Sequence, residues 1–414
     1  MSTADIADRF GTPAYVYELA RVRAAEADLR AMVPEEASVY YSLKANPHPL
    51  VVGELARRGC LAEVSSLGET DTALRAGMPA RRVLLTGPAK TSECLDHALS
   101  RGVRRMSVDS PTDLARVGAA AGRAGMDVEC LLRVNADQPV PGMGLAMTGT
   151  ASQFGADGTW VAEQPELFLG AGRARVTGLH LYMGTNITDE QTLLRQFETA
   201  ATLAARLRAR LGDLTEVDLG GGFGTPYARI GDRPRWIGLR AGLTELLDRN
   251  LPGWRHGRPH VSFESGRYLT GDCGTLLCRV MDVKPSKEDV FTVLDGGINH
   301  LGGMVGLRRI PPISPTVQRV EPPSPDEPWV RTTVVGPLCT PLDTFVRRVA
   351  LPPHLPGDVL AVPNVGAYGL TASLLAFLGH PAPVEVVTDG GDVLDVSRLH
   401  LTRSPATQIL EEVR

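Results

Sequence analysis

The chain has 414 residues, of which 43% are apolar and 22% are charged, and these proportions are typical of a soluble globular protein. Since one domain takes about 150 residues, this length predicts at least two domains. The net charge of −4 gives no support for a nucleic-acid or anionic-membrane partner. No apolar run is long enough to span a bilayer, and the polar first ten residues lack the apolar core of a signal peptide, so we expect a cytoplasmic protein.

The six cysteines are scattered, and only Cys273 and Cys278 lie close together. No second pair or neighbouring histidine completes a zinc site, so we predict no metal centre. In the cytoplasm the thiols should be reduced. We expect most of them to be small core residues, with Cys339 as an exception.

Apolar, β-branched segments alternate with segments of helical spacing through the first two thirds of the chain. The apolar runs predict eight strands, near 39–45, 61–66, 83–87, 105–110, 128–135, 176–184, 216–222 and 260–267. Helical spacing lies between them, for example in 49–59, 68–77 and 111–124, with Gly59 and Gly77 placed as helix C-caps. Eight such units favour a (β/α)8 TIM-type barrel, which typically takes about 250 residues, over a doubly wound open sheet.

The pattern changes after Thr270, where strand-like runs follow one another without convincing helices. These runs lie at 275–284, 290–297, 330–339, 359–368 and 384–398. A proline-rich run over 310–328 predicts an extended surface loop, and the lone strand Ala14–Tyr17 is expected to join the same sheet. We therefore predict a barrel over 30–272 and an all-β domain formed by 1–29 with 273–414.

Lys44 stands at the end of the first predicted strand and is one of only four lysines in the chain. Most of the cations are arginines, which stay protonated and cannot act as amine nucleophiles. A desolvated lysine can lose its proton and form an imine. A lysine that merely caps a strand end is the alternative.

In barrels of this kind, functional side chains collect at the C-terminal ends of the strands. Gly220–Gly224 follow the seventh strand, and glycines let backbone N–H groups approach a phosphate closely, although a tight turn without a ligand is the alternative. The eighth strand ends in Glu264-Ser-Gly-Arg267, where Arg267 suits a phosphate oxygen. Other polar residues at strand ends are Glu63, Ser65, Ser66, Arg133, Asn135, His180, Tyr182 and Thr185.

These features together match the needs of pyridoxal 5'-phosphate. That cofactor requires an imine-forming lysine, a phosphate cradle and an acid that keeps its pyridine nitrogen protonated. Lys44, the glycine loop and Glu264 supply all three. An ion pair between Glu264 and Arg267 is the simpler alternative for the acid.

The chain resembles the fold-type III (alanine-racemase-like) pyridoxal-phosphate amino-acid decarboxylases, the group of diaminopimelate and ornithine decarboxylases, over nearly its whole length. The motifs that carry the resemblance are Tyr41-Ser-Leu-Lys-Ala-Asn46, Val64-Ser-Ser-Leu-Gly-Glu69, Gly178-Leu-His180 with Gly184-Thr185, Leu219-Gly-Gly-Gly-Phe-Gly224, Glu264-Ser-Gly-Arg267, Gly336-Pro-Leu-Cys339 with Asp343, and Asn364-Val-Gly-Ala-Tyr368. The resemblance implies a barrel, a β domain and a head-to-tail homodimer with shared active sites.

The resemblance also assigns roles to residues. Lys44 would form the imine, and Cys339 of the partner subunit would donate a proton to the quinonoid that follows CO2 loss; a buried small residue is the alternative for Cys339. Arg133, Thr340 and Asp343 would contact the substrate, with Asp343 again from the partner. The implied cofactor-binding residues are Lys44, His180, Tyr182, Thr185, Gly221, Gly222, Gly224, Glu264, Gly266, Arg267 and Tyr368.

The chain departs from the family at three points. Tyr182 replaces the histidine that usually stacks on the cofactor ring, and Thr340 replaces the acid that follows the cysteine in the diaminopimelate branch and would hold a distal ammonium. The Arg-Pro clamp of that branch has no clear counterpart near Asn299. Cys339-Thr-Pro-Leu-Asp343 and Met147–Phe154 look more like a secondary-metabolism subgroup that acts on aminoacyl groups carried by an acyl-carrier protein.

Three other functions remain open from the sequence. A decarboxylase of a free amino acid such as diaminopimelate is the main alternative. A racemase of this fold pairs the pyridine nitrogen with arginine, and Glu264 argues against it. A non-catalytic relative would have lost the lysine or the cysteine, and both are present.

Overall fold

The computed structural model of the chain describes residues 1–136, 145–146, 151–302, 314–321, 324 and 326–403. Two compact units emerge. One comprises Glu18–Gly274 with Asn364–Tyr368, and the other comprises Met1–Tyr17, Thr275–Pro363 and Gly369–Arg414. The domain boundaries predicted from the sequence, at 29/30 and 272/273, remain a prediction.

The first unit is a closed barrel of eight parallel strands, which confirms the predicted fold class. The sheet closes because the fifth strand pairs with the sixth as well as with the fourth. All eight predicted strands are present, and seven of them end two to four residues earlier than predicted. The barrel strands are Ser38–Ser42, Leu61–Val64, Val83–Leu85, Arg105–Val108, Val128–Asn135, Ala174–Leu181, Glu216–Asp218 and His260–Ser265.

Helices connect the strands and begin and end where local chemistry predicts. Ser66 caps one helix by accepting a hydrogen bond from the Glu69 N–H. Gly59 and Gly77 have φ values of 85° and 92° just after two helices, which confirms their predicted C-cap role. The helices of this unit are Leu19–Met32, Pro49–Arg57, Leu67–Arg75, Ser92–Ser100, Pro111–Ala124, Gly158–Glu163, Glu190–Leu211, Leu239–Asn250 and Arg267–Thr270.

Among the described residues, the second unit is built on a mixed sheet of nine strands that the lone N-terminal strand joins as predicted. The run predicted at 384–398 is two strands joined by a turn at Gly390 and Gly391, and the run at 359–368 ends at Val362. The helix Thr3–Phe10 and the strand Thr344–Leu351 were not predicted. The strands are Ala14–Glu18, Gly274–Ser286, Asp289–Leu294, Gln318–Arg319, Val330–Val335, Thr344–Leu351, Val359–Val362, Val384–Asp389 and Asp392–Arg398.

Three further observations bear on the sequence predictions. Five cysteines are buried, whereas Cys339 is exposed, as expected. Residues 310–313, 322–323 and 325 of the proline-rich run lie outside the described residues, and its described part contains the short strand Gln318–Arg319, which was not predicted. Within the described part of the chain, no helix is long and apolar enough to cross a membrane.

A buried acid in the second unit predicts a pH-dependent stability. Glu385 is 7% exposed and accepts a hydrogen bond from the Tyr17 hydroxyl, and burial raises the pKa of its carboxyl to about 7. The folded protein therefore keeps a proton that the unfolded chain releases near pH 4.5, so stability falls as the pH rises from about 4.5 to about 7.

Glu385→Gln should remove this loss of stability at higher pH, because the amide oxygen can still accept the hydrogen bond from Tyr17 and the side chain cannot ionise. We expect the variant to be more stable than the natural chain by about 3 kcal/mol at pH 8 and nearly unchanged at pH 4.5. Denaturant unfolding at the two pH values measures the difference. Glu288→Gln, at an exposed position, is the control, and an equal gain at both pH values would contradict the prediction.

Candidate active site

The site is built at the C-terminal ends of the barrel strands, where one cavity joins residues from four of them and from the returning segment 364–368. The seventh, eighth and sixth strands contribute most of the wall. The residues that line the cavity are Ser42, Tyr182, Thr185, Gly222, Phe223, Glu264, Ser265, Gly266, Arg267 and Tyr368. Seven of these, all except Ser42, Phe223 and Ser265, were predicted from the sequence to bind the cofactor.

Lys44 lies in a short 3-10 turn, Leu43–Ala45, rather than in the first strand, which ends at Ser42. The strand register places Ser42 opposite Glu63 of the second strand. As a result, the Lys44 Nζ atom donates to both carboxylate oxygens of Glu63, at 3.1 and 3.3 Å. The same Nζ atom lies 5.8 Å from the centroid of the Tyr182 ring, so the lysine faces the cavity.

The glycine loop is held closely against the loop that follows the sixth strand. Gly222 accepts a hydrogen bond from the Ile187 N–H, and Gly224 donates one to the Ile187 carbonyl, at 2.8 and 2.9 Å. A Cβ atom on Gly222 would lie 2.7 Å from the Gln196 amide, and Gly222 has a φ of 110°. Only glycine fits such a backbone. Gly222 lines the cavity, and the N–H groups of Gly221 and Gly222 have no acceptor among the described residues.

Phe223 anchors this loop in the core. Its ring lies 5.5 Å from the ring of Phe197 and 6.3 Å from that of Phe263, measured between centroids. The Gln196 side chain also donates to the Gly221 carbonyl, at 2.7 Å, and these contacts hold the glycines in place. The loop is therefore pre-shaped to receive an anion at its N–H groups.

Arg267 stands beside the glycine loop, between two tyrosine rings. Its guanidinium carbon lies 4.7 Å from the centroid of Tyr368 and 5.4 Å from that of Tyr227, and its Nε atom is buried without a hydrogen-bond partner. Tyr368 is fixed by its backbone N–H, which donates to the Ala45 carbonyl at 2.7 Å. A Cβ on Gly266 would lie 2.8 Å from the Ala45 Cβ, so this glycine allows the turn of Lys44 and the turn of Arg267 to pack together.

Glu264 is 1% exposed, and neither of its carboxylate oxygens has a hydrogen-bond partner. The structure shows no ion pair between Glu264 and Arg267, both of them described, which argues against the simpler role considered for this acid. The His180 Nε2 atom lies 3.2 Å from Glu264 Oε1, outside hydrogen-bond geometry, while the Nδ1 atom shares a hydrogen bond with Ser107. An unpaired buried carboxylate is costly, so a missing donor is expected at this position.

Two further acids belong to this part of the barrel. Glu63 was named from the sequence only as a polar residue at a strand end, and Asp218 was not named. Asp218 is fully buried on the seventh strand, opposite His180, and burial together with the charge of Glu264 raises the pKa of its carboxyl well above the ordinary value. Glu63 is the partner of Lys44 described above. The signal for both was their position at or one residue before the end of a barrel strand.

Tyr182 and Arg133 form the outer side of the site. Burial raises the pKa of the Tyr182 phenol to about 12, so its ring is neutral. The Arg133 guanidinium carbon lies 5.8 Å from the centroid of the Tyr182 ring and 4.9 Å from that of Phe154. Arg133 is 9% exposed, and its charge acts on the carboxyl of Asp109.

Cys339, Thr340 and Asp343 lie together in the second unit, in the loop between the strands Val330–Val335 and Thr344–Leu351. Cys339 is exposed, and Thr340 is half-buried. The Asp343 carboxylate is buried and accepts hydrogen bonds from the Leu338 and Ile298 N–H groups, at 2.7 and 2.9 Å. Asp343 therefore holds this loop in shape, and its two oxygens are already engaged.

One predicted motif can be placed only in part. Residues 147–150 of the Met147–Phe154 motif lie outside the described residues.

The residues fit pyridoxal 5'-phosphate. The unpaired Glu264 carboxylate matches a protonated ring nitrogen, and the free amides of the glycine loop with Arg267 match a phosphate. Lys44 supplies the amine, and the neutral ring of Tyr182 offers a flat face for stacking.

Comparisons with known proteins agree with this assignment. The family described as "Pyridoxal-dependent decarboxylase, pyridoxal binding domain" matches residues 19–271. The L-glutamyl-[BtrI acyl-carrier protein] decarboxylase of Niallia circulans is 30% identical over 391 residues, which cover 92% of this chain and 90% of that protein. A diaminopimelate decarboxylase of Methanothermobacter thermautotrophicus is 33% identical over 404 residues, covering 95% and 90%.

A solved structure shares the fold. Diaminopimelate decarboxylase from M. jannaschii, in complex with L-lysine, superposes with a TM-score of 0.82 at 24% identity, covering 94% of this chain and 90% of that one. This chain thus belongs to the pyridoxal-dependent decarboxylase family and is an amino-acid decarboxylase that uses pyridoxal 5'-phosphate.

Proposed function

We propose that Lys44 binds the cofactor through an imine, that the glycine loop, Arg267 and Tyr368 hold its phosphate, and that Glu264 binds its ring nitrogen. The observation that carries this proposal is the buried Glu264 carboxylate, which lacks a partner in a cavity that Lys44 also faces. Bound pyridoxal phosphate supplies an electron sink for the bond to the departing carboxylate. Glu264 keeps a proton on the ring nitrogen, and Tyr182 covers one face of the ring.

We further propose that Cys339 acts in the active site of a partner subunit in a homodimer. Its thiol is exposed in the single chain, and Asp343 fixes the loop that carries it. In that role the Cys339 Sγ atom donates the proton that replaces CO2 on the substrate carbon. Asp343 then shapes the loop, since its oxygens are engaged by backbone N–H groups, and Thr340 and Arg133 are the residues left to contact the substrate.

The substrate that these residues favour is an amino acid carried on an acyl-carrier protein in secondary metabolism. Thr340 offers no charge where an acid would hold a distal ammonium, and an unpaired buried ammonium costs about 3–5 kcal/mol. That cost corresponds to more than about 100-fold in affinity. A thioester-linked substrate has no distal charge, and the carboxyl it loses is the one beside its free amine. The Niallia circulans relative, which is named for a carrier-linked glutamyl group, supports this class.

The test compares free and carrier-linked substrates with the cofactor-loaded protein. Free diaminopimelate, lysine, ornithine, glutamate and aspartate are assayed for CO2 release, and aminoacyl carrier proteins are followed by mass spectrometry for loss of one CO2. We expect turnover on a carrier-linked amino acid and little on the free ones. Thr340→Glu should impair the carrier-linked reaction and raise activity on free diaminopimelate, while Thr344→Glu, in the strand beyond the loop, is a control.

Decarboxylation of a free diamino acid is the second function to test. The observation in its favour is the 33% identity with a diaminopimelate decarboxylase. Efficient turnover of free diaminopimelate, without any gain from a carrier protein, would establish this function and overturn the carrier-linked one.

A further inference from the structure

Among the described residues, Lys44 forms an ion pair with Glu63. The proposed cofactor chemistry gives this ion pair no role. Both carboxylate oxygens lie within 3.3 Å of Nζ, and the Thr86 hydroxyl donates to Glu63 Oε1 at 2.9 Å. Glu63 is 3% exposed, so its carboxylate is fixed in place by the barrel. The Lys44 side chain is 42% exposed and can exchange protons with solvent.

Other charged and titratable groups also face this pair. Desolvation is the largest single influence and would lower the pKa of the Lys44 ammonium, but the charge of Glu63, together with the weaker effects of other groups named below, outweighs it and raises the pKa. Burial alone would raise the pKa of Glu63, but Lys44, the Ser42 and Thr86 hydroxyls and His180 together lower it to about 2. The remaining groups that act on one or both partners are Glu69, Tyr182, Asp218, Glu264 and Tyr368.

We propose that Glu63 is a positioning residue that holds the Lys44 amine as an ammonium ion in the cofactor-free protein and thereby restrains cofactor loading at neutral pH. This inference rests on the proposed role of Lys44. An ammonium has no lone pair, so it must first give a proton to solvent, because ionised Glu63 is a weak base. The neutral amine then attacks the aldehyde carbon, a C=N bond replaces the C=O bond, and the aldehyde oxygen leaves as water with the two amine hydrogens.

The small number of lysines makes the protonation of Lys44 directly measurable. With 15N-labelled lysine, the cofactor-free protein gives four side-chain signals, one for each lysine, which single Lys→Arg variants assign. We expect the pH midpoint of the titration of the Lys44 signal to lie above that of exposed Lys287. Glu63→Gln should lower the Lys44 midpoint by about one to three pH units. Glu63→Asp, with a shorter carboxylate, should give an intermediate value.

A matched control exists at the other buried lysine. Lys90 pairs with Asp113 at 2.7 Å, so Asp113→Asn should change the Lys90 signal and leave Lys44 unmoved. Thermal unfolding and the remaining lysine signals show whether each variant is folded. If Glu63→Gln does not fold, the test becomes the difference in the Lys44 midpoint between Glu63→Asp and the natural chain. An unmoved Lys44 midpoint in the folded variants would overturn the inference.

Cofactor loading supplies the second measurement. The appearance of the visible absorption band after mixing with pyridoxal phosphate should be faster in Glu63→Gln at pH 7, by about tenfold for each pH unit that the Lys44 midpoint falls. Slower loading despite a lowered midpoint would overturn the restraining role. Borohydride reduction and peptide mass spectrometry separate the two proposals: cofactor on Lys90 refutes the role of Lys44, whereas cofactor on Lys44 with unchanged titration refutes only that of Glu63.

Discussion

Glu264→Gln is expected to leave a folded protein that binds pyridoxal phosphate but decarboxylates at least about 100-fold more slowly, which is the usual effect of removing one catalytic electrostatic contact. The amide cannot keep the ring nitrogen protonated, so the cofactor becomes a weaker electron sink. With 15N-labelled cofactor, the NMR shift of the ring nitrogen should change from that of a protonated to that of an unprotonated pyridine.

Glu245→Gln is the control for this variant, because Glu245 is an exposed residue that pairs with Arg249 on an outer helix. It should retain the turnover and the nitrogen shift of the natural chain. Near-normal turnover in Glu264→Gln, on the substrate that the assays identify, would contradict the proposed role.

Lys44→Ala and Cys339→Ala should each remove most activity. In either variant, both active sites of the dimer lack one of the two residues proposed to act there. Mixing the two variants should restore about a quarter of the natural activity. Random exchange makes half of the dimers mixed, and each mixed dimer has one intact site of two. Turnover after mixing measures the recovery, and mass spectrometry of differently tagged subunits confirms the exchange.

A mixture of Cys339→Ala with Cys94→Ala is a useful comparison, since Cys94 is a core residue outside the site. Its activity should equal the sum of the separate variants. No recovery in the Lys44→Ala mixture, once subunit exchange is shown, would mean that both residues serve the same subunit's site or that Cys339 is structural.

The barrel could be predicted because its strands are buried on both faces and therefore appear as short apolar runs between helices. The ends of the strands could not be predicted, because backbone pairing and not hydrophobicity decides where a strand stops. Lys44 was expected in the strand and lies in the turn after it. The strand Thr344–Leu351 was missed because its exposed Arg347 and Arg348 break the apolar pattern.

The candidate site was predictable where glycine, lysine and arginine occur in recognisable motifs. Glu63 and Asp218 were missed as partners because their contacts depend on strand register. Ser42 stands opposite Glu63, and His180 opposite Asp218, and neither pairing follows from spacing along the chain. The buried contacts of Asp343 arise in the same way, from two loops far apart in sequence.

The segment Asn364–Tyr368 has a consequence for how the protein is made. The Asn46 side chain donates to the Gly366 carbonyl at 2.8 Å, and Tyr368 bonds to the Ala45 carbonyl, so a late part of the chain completes the turn that carries Lys44. The eight strands of the barrel are all synthesised by residue 265, roughly one hundred residues earlier. A ribosome-bound chain can therefore form the barrel well before its Lys44 turn is complete, so cofactor capture should follow translation of residue 368 and not barrel folding itself.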